Sequence, residues 1–204
     1  MHRDPDADPR PASPAAPVYV SVEDAILDVR VRVGDVILDR YQRGNPLSWA
    51  IARIGRSIYS HARLLSRDGA DWRTLDTFQG TGGRDLSLSE EVARKPRRLD
   101  VYRCTSLEYH RHKAARVMRE IVGRQYGWRS LWWCALRHAP LVRLLVSPRM
   151  DDNLNGGLVP FCSQAVAAAM RTAGCDPVPN LPDRLTEPGD LARSAVLEYQ
   201  FTLE

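Results

Sequence analysis

The sequence predicts an α+β fold in which an antiparallel sheet packs against helices. Runs rich in β-branched, aromatic and aliphatic residues at 58–65 and 72–78 are typical of strands. The polar link between them is so short that the two strands should pair antiparallel. Helical patterns with one apolar face occur on both sides of this hairpin. A chain of 204 residues can bury one core, so we expect a single domain at 18–204 after a disordered leader at 1–17.

Composition and the N-terminal segment exclude several classes of protein. Residues 1–17 hold three aspartates and five prolines, unlike the basic and apolar regions of a secretory signal. The sequence has no run of about 18 apolar residues, so we expect no transmembrane segment. The net charge is +4, with arginines scattered among acids, whereas nucleic-acid binders usually show a basic stripe. We expect synthesis as a cytoplasmic protein and leave signal-independent export open.

Strand and helix signals alternate in the N-terminal half. Residues 18–30 mix aliphatic and acidic side chains and are expected to be extended or briefly helical. The run at 33–38 contains a Gly-Asp turn followed by apolar residues and predicts a strand. Asn45-Pro46 predicts a helix start and Gly55 its end. The link at 80–83 lacks the Lys-Ser/Thr of a phosphate-binding loop and is expected to be a flexible turn.

The C-terminal half adds further helices and strands. The predicted elements are a helix from Ser87, a strand at 99–103, a helix at 105–122, a helix at 161–173 and a strand at 195–203. Capping boxes of the form Ser/Thr-x-x-Glu start the first two of these helices. The apolar, tryptophan-rich segment at 131–146 predicts either a broken buried helix or a surface that meets a partner.

Cys162 is the candidate nucleophile because it begins the predicted helix at 161–173. A cysteine attacks only as a thiolate, and the positive end of a helix lowers the pKa of a thiol placed there. The same N–H groups can stabilise the oxyanion of a tetrahedral intermediate. Taken alone, a cysteine beside Phe161 is more typical of a small core residue.

His61, on the predicted strand at 58–65, is the candidate general base. By itself it is also typical of a half-buried structural histidine. A general base needs a group that orients its second ring nitrogen. Asp76 lies on the next strand and meets His61 if the hairpin pairs in register, although a bulge would change which face each residue occupies.

Six short motifs in a fixed order carry a resemblance to a known family. They are Gly34-Asp35-Val36-Ile37-Leu38, Asn45-Pro46-Leu47-Ser48, Tyr59-Ser60-His61-Ala62, Leu75-Asp76-Thr77, Phe161-Cys162-Ser163-Gln164 and Glu187-Pro188-Gly189-Asp190-Leu191-Ala192. In order and approximate spacing the chain resembles the permuted papain-like amidases, also called YiiX/YebB-like, a circularly rearranged branch of the NlpC-type cysteine peptidases. The resemblance covers about residues 33–194.

The resemblance implies a circularly permuted papain-like fold and a role for each candidate residue. Cys162 would be the nucleophile, His61 the general base and then acid, and Asp76 the residue that orients the imidazole. The implied reaction is cleavage of amide or peptide bonds, including those of bacterial cell-wall peptides, through an acyl-enzyme.

The chain departs from the family pattern at two positions. The family more often has glutamate where this chain has Asp76, and also after the Cys-Ser pair, where this chain has Gln164. An aspartate is one methylene shorter, so Asp152 and Asn155 are alternative orienting residues.

Two other functions stay open. The related fold also supports acyl transfer and cleavage of lipid esters or thioesters, and the segment at 131–146 suits a lipid chain. The third hypothesis is a catalytically inactive binding module. The expected partner is a peptide, a peptidoglycan-like or an acyl-lipid substrate, and the oligomeric state cannot be predicted. His110 and His112 diverge on their predicted helix, so we expect no metal site and no cofactor.

Overall fold

The computed structural model describes residues 17–27, 30–42, 44–78, 80–94, 98–124 and 161–204. The strands are β1 (Tyr19–Val20), β2 (Val36–Arg40), β3 (Tyr59–Asp68), β4 (Asp71–Phe78), β5 (Gly82–Ser87), β6 (Leu99–Cys104) and β7 (Leu197–Leu203). The α-helices are α1 (Val22–Leu27), α2 (Pro46–Ile54), α3 (Leu88–Arg94), α4 (Arg111–Arg119), α5 (Cys162–Thr172) and α6 (Pro188–Ala192), with a 3-10 turn at Asp183–Leu185. The prediction of an α+β fold is confirmed.

The strands form one sheet in the order β1-β7-β6-β2-β3-β4-β5. All neighbouring pairs are antiparallel except β1 and β7, which pair parallel. The predicted hairpin of β3 and β4 aligns Leu64 with Leu75 and turns at Gly69, whose φ of +57° suits a glycine. The hairpin therefore fixes which residues of the two strands lie side by side.

Each face of the sheet is covered by helices over its own apolar core. Val36, Leu38 and Leu64 belong to the core that includes residues of α4 and α5. Ile37 and Leu65, one residue further along their strands, belong to the core that includes residues of α1 and α3. This alternation is the period-2 pattern of a strand buried on both faces.

Helix α5 is buried almost all round, and every residue from Cys162 to Met170 is buried. Five of these nine residues are alanine or serine, and such small side chains allow the helix to lie close to β3 and β4. A helix that is buried on all sides belongs to the interior of a domain. Its first residue, Cys162, is therefore held by packing along the whole helix.

The structure differs from the sequence prediction in two elements. The flexible turn expected at 80–83 is wrong for its second half, because Gly82 begins β5 and pairs with Phe78 of β4. The helix expected at 105–122 begins only at Arg111. The preceding loop is held by tertiary contacts instead, such as the Tyr109 hydroxyl donating to the Gly34 carbonyl at 3.0 Å.

Two predictions fall outside the described residues. These are the leader at 1–17, apart from its last residue, and the tryptophan-rich segment at 131–146. Asp152 and Asn155, the alternative orienting residues, also lie outside them. Within the described ranges, none of the helices combines the length and the apolar character that a membrane crossing requires.

Candidate active site

Cys162 is the first residue of α5 and has a free thiol that is 4% exposed. Phe161 before it is extended, with φ of −81° and ψ of 173°, so the helix begins sharply at the cysteine. The backbone N–H groups of Ala62 and Ser163 donate hydrogen bonds to the sulfur. The sulfur therefore lies between the helix N-terminus and β3, where N–H groups favour a negative charge.

His61 lies on β3 and connects Cys162 to Asp76. Its Nε2 is 2.7 Å from Oδ2 of Asp76, and its ring is also hydrogen-bonded to the side chain of Cys162. Because Nε2 is taken by the carboxylate, Nδ1 is the nitrogen that faces the thiol. A bulge precedes this position, since Arg40 of β2 pairs with Tyr59 while the next pair is Asp39 with His61. Bulges often re-aim side chains beside functional sites.

Asp76 is a buried carboxylate held by three partners, with 2% of the residue exposed. Besides bonding to His61, Asp76 accepts two hydrogen bonds from Arg84. Nε of Arg84 donates to Oδ1 at 2.9 Å, and Nη2 donates to Oδ2 at 2.6 Å. Nη1 of Arg63 lies 3.3 Å from Oδ2. This bidentate contact with Arg84 fixes the plane of the Asp76 carboxylate. It therefore also fixes the position of the oxygen that is hydrogen-bonded to His61.

The three candidate groups shift one another's pKa. Burial by itself raises the pKa of the Cys162 thiol, but the His61 imidazolium and the neighbouring backbone N–H groups bring it below its ordinary value. Burial by itself lowers the pKa of His61, but the Cys162 thiolate and the Asp76 carboxylate raise it to about 10. Burial also raises the pKa of Asp76, and its bonds to His61 and Arg84 hold it well below its usual range. The pair is thus arranged as a thiolate beside an imidazolium.

Arg63 is a buried residue of the candidate site that was not predicted from the sequence. It is 1% exposed, and its guanidinium donates to both oxygens of Asp39, at 3.0 and 2.8 Å, and to Glu91. A buried charge is tolerated when it is paired and hydrogen-bonded, and here one cation is shared by three carboxylates, including Asp76. The signal in the sequence was a charged residue two positions after His61 inside an otherwise apolar strand.

Phe78 and Arg84 cover the outer side of the histidine. The ring of Phe78 meets that of His61 edge to face at a centroid separation of 5.7 Å. The guanidinium of Arg84 lies 4.1 Å from the centre of the Phe78 ring. Arg84 therefore contacts both Asp76, the carboxylate partner of His61, and Phe78, the aromatic ring against His61.

A small cavity of about 60 Å³ opens beside the thiol. Its walls include Ser48, Ser60, His61, Thr77, Phe78 and Cys162. Gln42 and Asn45 line both this cavity and an open depression of about 490 Å³, whose other walls include Tyr41 and Trp49. The small cavity can hold a carbonyl group beside the sulfur, and the depression offers room for the rest of a substrate.

The motifs around the site hold its backbone in place. Asn45 accepts the Ser48 N–H at 3.1 Å and caps α2, while the Ser48 hydroxyl donates to Ser60 at 2.8 Å, next to His61. The Ser163 hydroxyl donates to the Thr186 carbonyl at 2.8 Å, just before α6. These contacts fasten the elements that carry the histidine and the cysteine, so the motif residues outside the three candidates serve the geometry.

The structure brings Cys162, His61 and Asp76 into one connected chain of contacts. Gln164, which follows the Cys-Ser pair, is buried on α5 and is 8% exposed. Among the residues that the structure describes, its Oε1 has no hydrogen-bond partner.

Comparison with known proteins finds a solved structure with a similar fold. No family model matches the sequence, and no curated protein matches it. A solved structure described as metalloprotein YiiX from Escherichia coli O157:H7, DUF1105, is similar with a TM-score of 0.57 and 15% sequence identity. The similarity covers 83% of this chain and 96% of that chain. The fold and the site together define an α+β protein with a YiiX-like fold and a buried Cys-His-Asp arrangement.

Proposed function

We propose that this chain is a cysteine hydrolase with a circularly permuted papain-like fold that cleaves amide or peptide bonds. The observation that carries the proposal is the chain of contacts from the Cys162 thiol at a helix N-terminus through His61 to Asp76. A nucleophile, a base and an orienting group within hydrogen-bond reach are the usual signature of covalent catalysis. The order of histidine before cysteine in the sequence agrees with a permuted arrangement.

The proposed reaction proceeds in two steps. The Cys162 thiolate attacks the carbonyl carbon, and N–H groups at the start of α5 stabilise the oxyanion. Protonated Nδ1 of His61 then gives its proton to the leaving amine, which departs and leaves a thioester on Cys162. His61, now neutral, takes a proton from water as the water attacks the thioester, and the C–S bond then breaks to release the carboxylic acid and restore the Cys162 thiolate beside the imidazolium. Asp76 accepts a hydrogen bond from Nε2 throughout and keeps Nδ1 directed at the sulfur.

Arg63 and Arg84 are positioning residues in this proposal. Arg84 donates two hydrogen bonds to the Asp76 carboxylate and Arg63 forms an ion pair with it, so the carboxylate remains ionised and correctly oriented while the charge on His61 changes. Orienting partners of this kind are a large part of how a preorganised site works. Although an aspartate is one methylene shorter than a glutamate, Asp76 lies within hydrogen-bond distance of His61, at 2.7 Å.

A metal centre does not fit the described part of the site, although the name of the YiiX structure includes the word metalloprotein. Within the described ranges, no group of three or more His, Cys, Asp or Glu side chains is placed to hold a metal ion. The Asp76 carboxylate is already paired with two guanidinium groups. Each step proposed above is therefore assigned to side chains.

The test compares hydrolysis of cell-wall peptides and of simple peptide amides by the wild type, Cys162→Ala and His61→Ala. We expect both variants to lose at least about 1,000-fold in kcat/KM, since residues that act as one catalytic unit fail together. Ser89→Ala, at an exposed position of α3, is the matched control and should retain full activity. Equal activity in all the proteins contradicts the proposal.

Cleavage of lipid esters or thioesters is a second candidate function. The observation that favours it is Trp49, which is 55% exposed and lines the open depression beside the small cavity. An exposed aromatic wall suits an acyl chain. Incubation with phospholipid vesicles and with cell-wall fragments, each followed by mass spectrometry, separates the two substrates, and Trp49→Ser should impair only a lipid reaction.

A further inference from the structure

Two further cysteines lie in contact at the C-terminal end of α5, which is the end away from Cys162. Cys104 ends β6 and Cys175 follows α5, and their Sγ atoms are 3.1 Å apart. The two residues are 9% and 5% exposed. The reaction proposed above uses neither of them, so their contact calls for a separate explanation.

The backbone around Cys175 is shaped to bring the two thiols together. Gly174 has φ of +93°, and a Cβ placed on it would lie 2.5 Å from the carbonyl oxygen of Glu108. Only glycine allows this close approach and this conformation. The chain therefore turns directly after α5 and presses Cys175 against Cys104.

The environment of the pair activates one of its sulfurs. The hydrogen bond from Cys175 lowers the pKa of Cys104, and the backbone N–H of Ser106 and the guanidinium of Arg111 act in the same direction. Together, against the effect of burial, they bring this pKa to about 7. A lowered pKa favours the thiolate, which is the form that reacts with oxidants.

We propose that Cys104 and Cys175 form a redox-active dithiol that a peroxide converts to a disulfide between β6 and the end of α5. The Cys104 thiolate attacks one oxygen of hydrogen peroxide and becomes a sulfenic acid as hydroxide leaves. The Cys175 sulfur then displaces hydroxide from the sulfenic sulfur and closes the S–S bond. In total the two thiols lose two protons and two electrons, and one hydrogen peroxide becomes two waters.

The geometry needed for this disulfide is close to the geometry already present. A disulfide bond is about 2.05 Å long, so the two sulfurs must approach by about 1 Å. The bond would link residues that are 71 positions apart and would tie the end of α5 to an inner strand of the sheet. It does not require Cys162 to act as a nucleophile.

The experiment uses the full chain carrying Cys162→Ala, which removes the competing thiol of the candidate site. The protein is treated with equimolar hydrogen peroxide, alkylated, digested and mapped by mass spectrometry without reduction. We expect one cross-linked peptide pair containing Cys104 and Cys175, a mass loss of about 2 Da and reversal by dithiothreitol. Oxidation should also raise Tm by about 5–15 °C, because closing a long loop constrains the unfolded chain.

Variants that replace one further cysteine each identify which residues form the bond. Cys134→Ser, which removes the remaining cysteine of the sequence, should still form the cross-link, and Cys175→Ser should not. Recovery of Cys104 and Cys175 as separate alkylated peptides after peroxide treatment overturns the proposal, as does a cross-link that includes Cys134. Peptide mapping of the parent protein decides the question even where Cys175→Ser does not fold.

Discussion

At the scale of single residues, the proposed chemistry depends on how three side chains set one another's charge. In this proposal the Cys162 thiolate and the His61 imidazolium stabilise each other, and Asp76 stabilises the imidazolium from the opposite nitrogen. Arg63 and Arg84 in turn keep Asp76 ionised. Removal of any of these side chains should therefore change the pKa of the Cys162 thiol. That pKa can be measured from the rate of alkylation without a known substrate.

The first prediction concerns the pH dependence of Cys162 alkylation by iodoacetamide. Because the pKa of Cys162 lies below its ordinary value, its reaction at pH 6–7 should be at least about tenfold faster than that of a thiol with a pKa of about 8.5. His61→Ala removes the main cause of that shift, so the midpoint of the rate profile should move to higher pH. Subtracting the Cys162→Ala profile removes the other cysteines. An unchanged profile in His61→Ala would mean that no ion pair exists.

The second prediction concerns Asp76→Asn. This change should lower kcat by about two to four orders of magnitude, because an amide neither stabilises the imidazolium nor holds its tautomer in the same way. Asp85→Asn is the matched control, since Asp85 accepts from Nε of Arg73 at 2.7 Å in the same part of the sheet but away from the thiol. Steady-state kinetics of both variants make the comparison. Equal losses in the two variants would show that Asp76 matters only for folding.

At the scale of elements, α5 determines where the nucleophile lies. Its small side chains let it pack closely over β3 and β4, the strands that carry His61 and Asp76. Ala165 is fully buried in this contact, one turn after Cys162. A movement of α5 away from β3 would therefore increase the distance between the Cys162 sulfur and the His61 imidazole.

The third prediction tests this packing with Ala165→Leu. The larger side chain should cost about 1–3 kcal/mol in the free energy of unfolding, because overfilled cores force shifts of side chains and backbone. The rate of Cys162 alkylation at pH 7 should fall with it, as the thiol moves away from His61. Ala93→Leu on the exposed side of α3 adds the same atoms without burial and should leave both quantities unchanged. Urea denaturation gives the first quantity and timed alkylation the second. An alkylation rate unaffected by Ala165→Leu would contradict this role of the helix packing.

At the scale of the whole molecule, local patterns predicted the hairpin and the main helices, whereas long-range contacts decided the rest. The short polar link and the alternation in the two strands predicted that Asp76 meets His61 if the hairpin pairs in register, and the two side chains lie 2.7 Å apart. Strand β5 was missed because its first two residues are glycines whose strand character comes from pairing with β4. Arg63 and Arg84 could not be assigned to Asp76, because no local rule links a buried charge to partners on other strands.

The sheet and the helix on its face together account for a site assembled from distant parts of the sequence. His61 and Asp76 come from adjacent strands, and Cys162 comes from a helix about a hundred residues after His61. The central claim is that these parts form one catalytic unit with Cys162 as its nucleophile. That claim can be tested before the natural substrate is known.

The most direct measurement is mass spectrometry of the protein quenched within one turnover of an activated acyl substrate, such as a p-nitrophenyl ester. The account predicts a single acyl group on the peptide that contains Cys162, absent in Cys162→Ala and formed at least about 100-fold more slowly in His61→Ala. An acyl group spread over several cysteines, or one formed equally fast without His61, would contradict it.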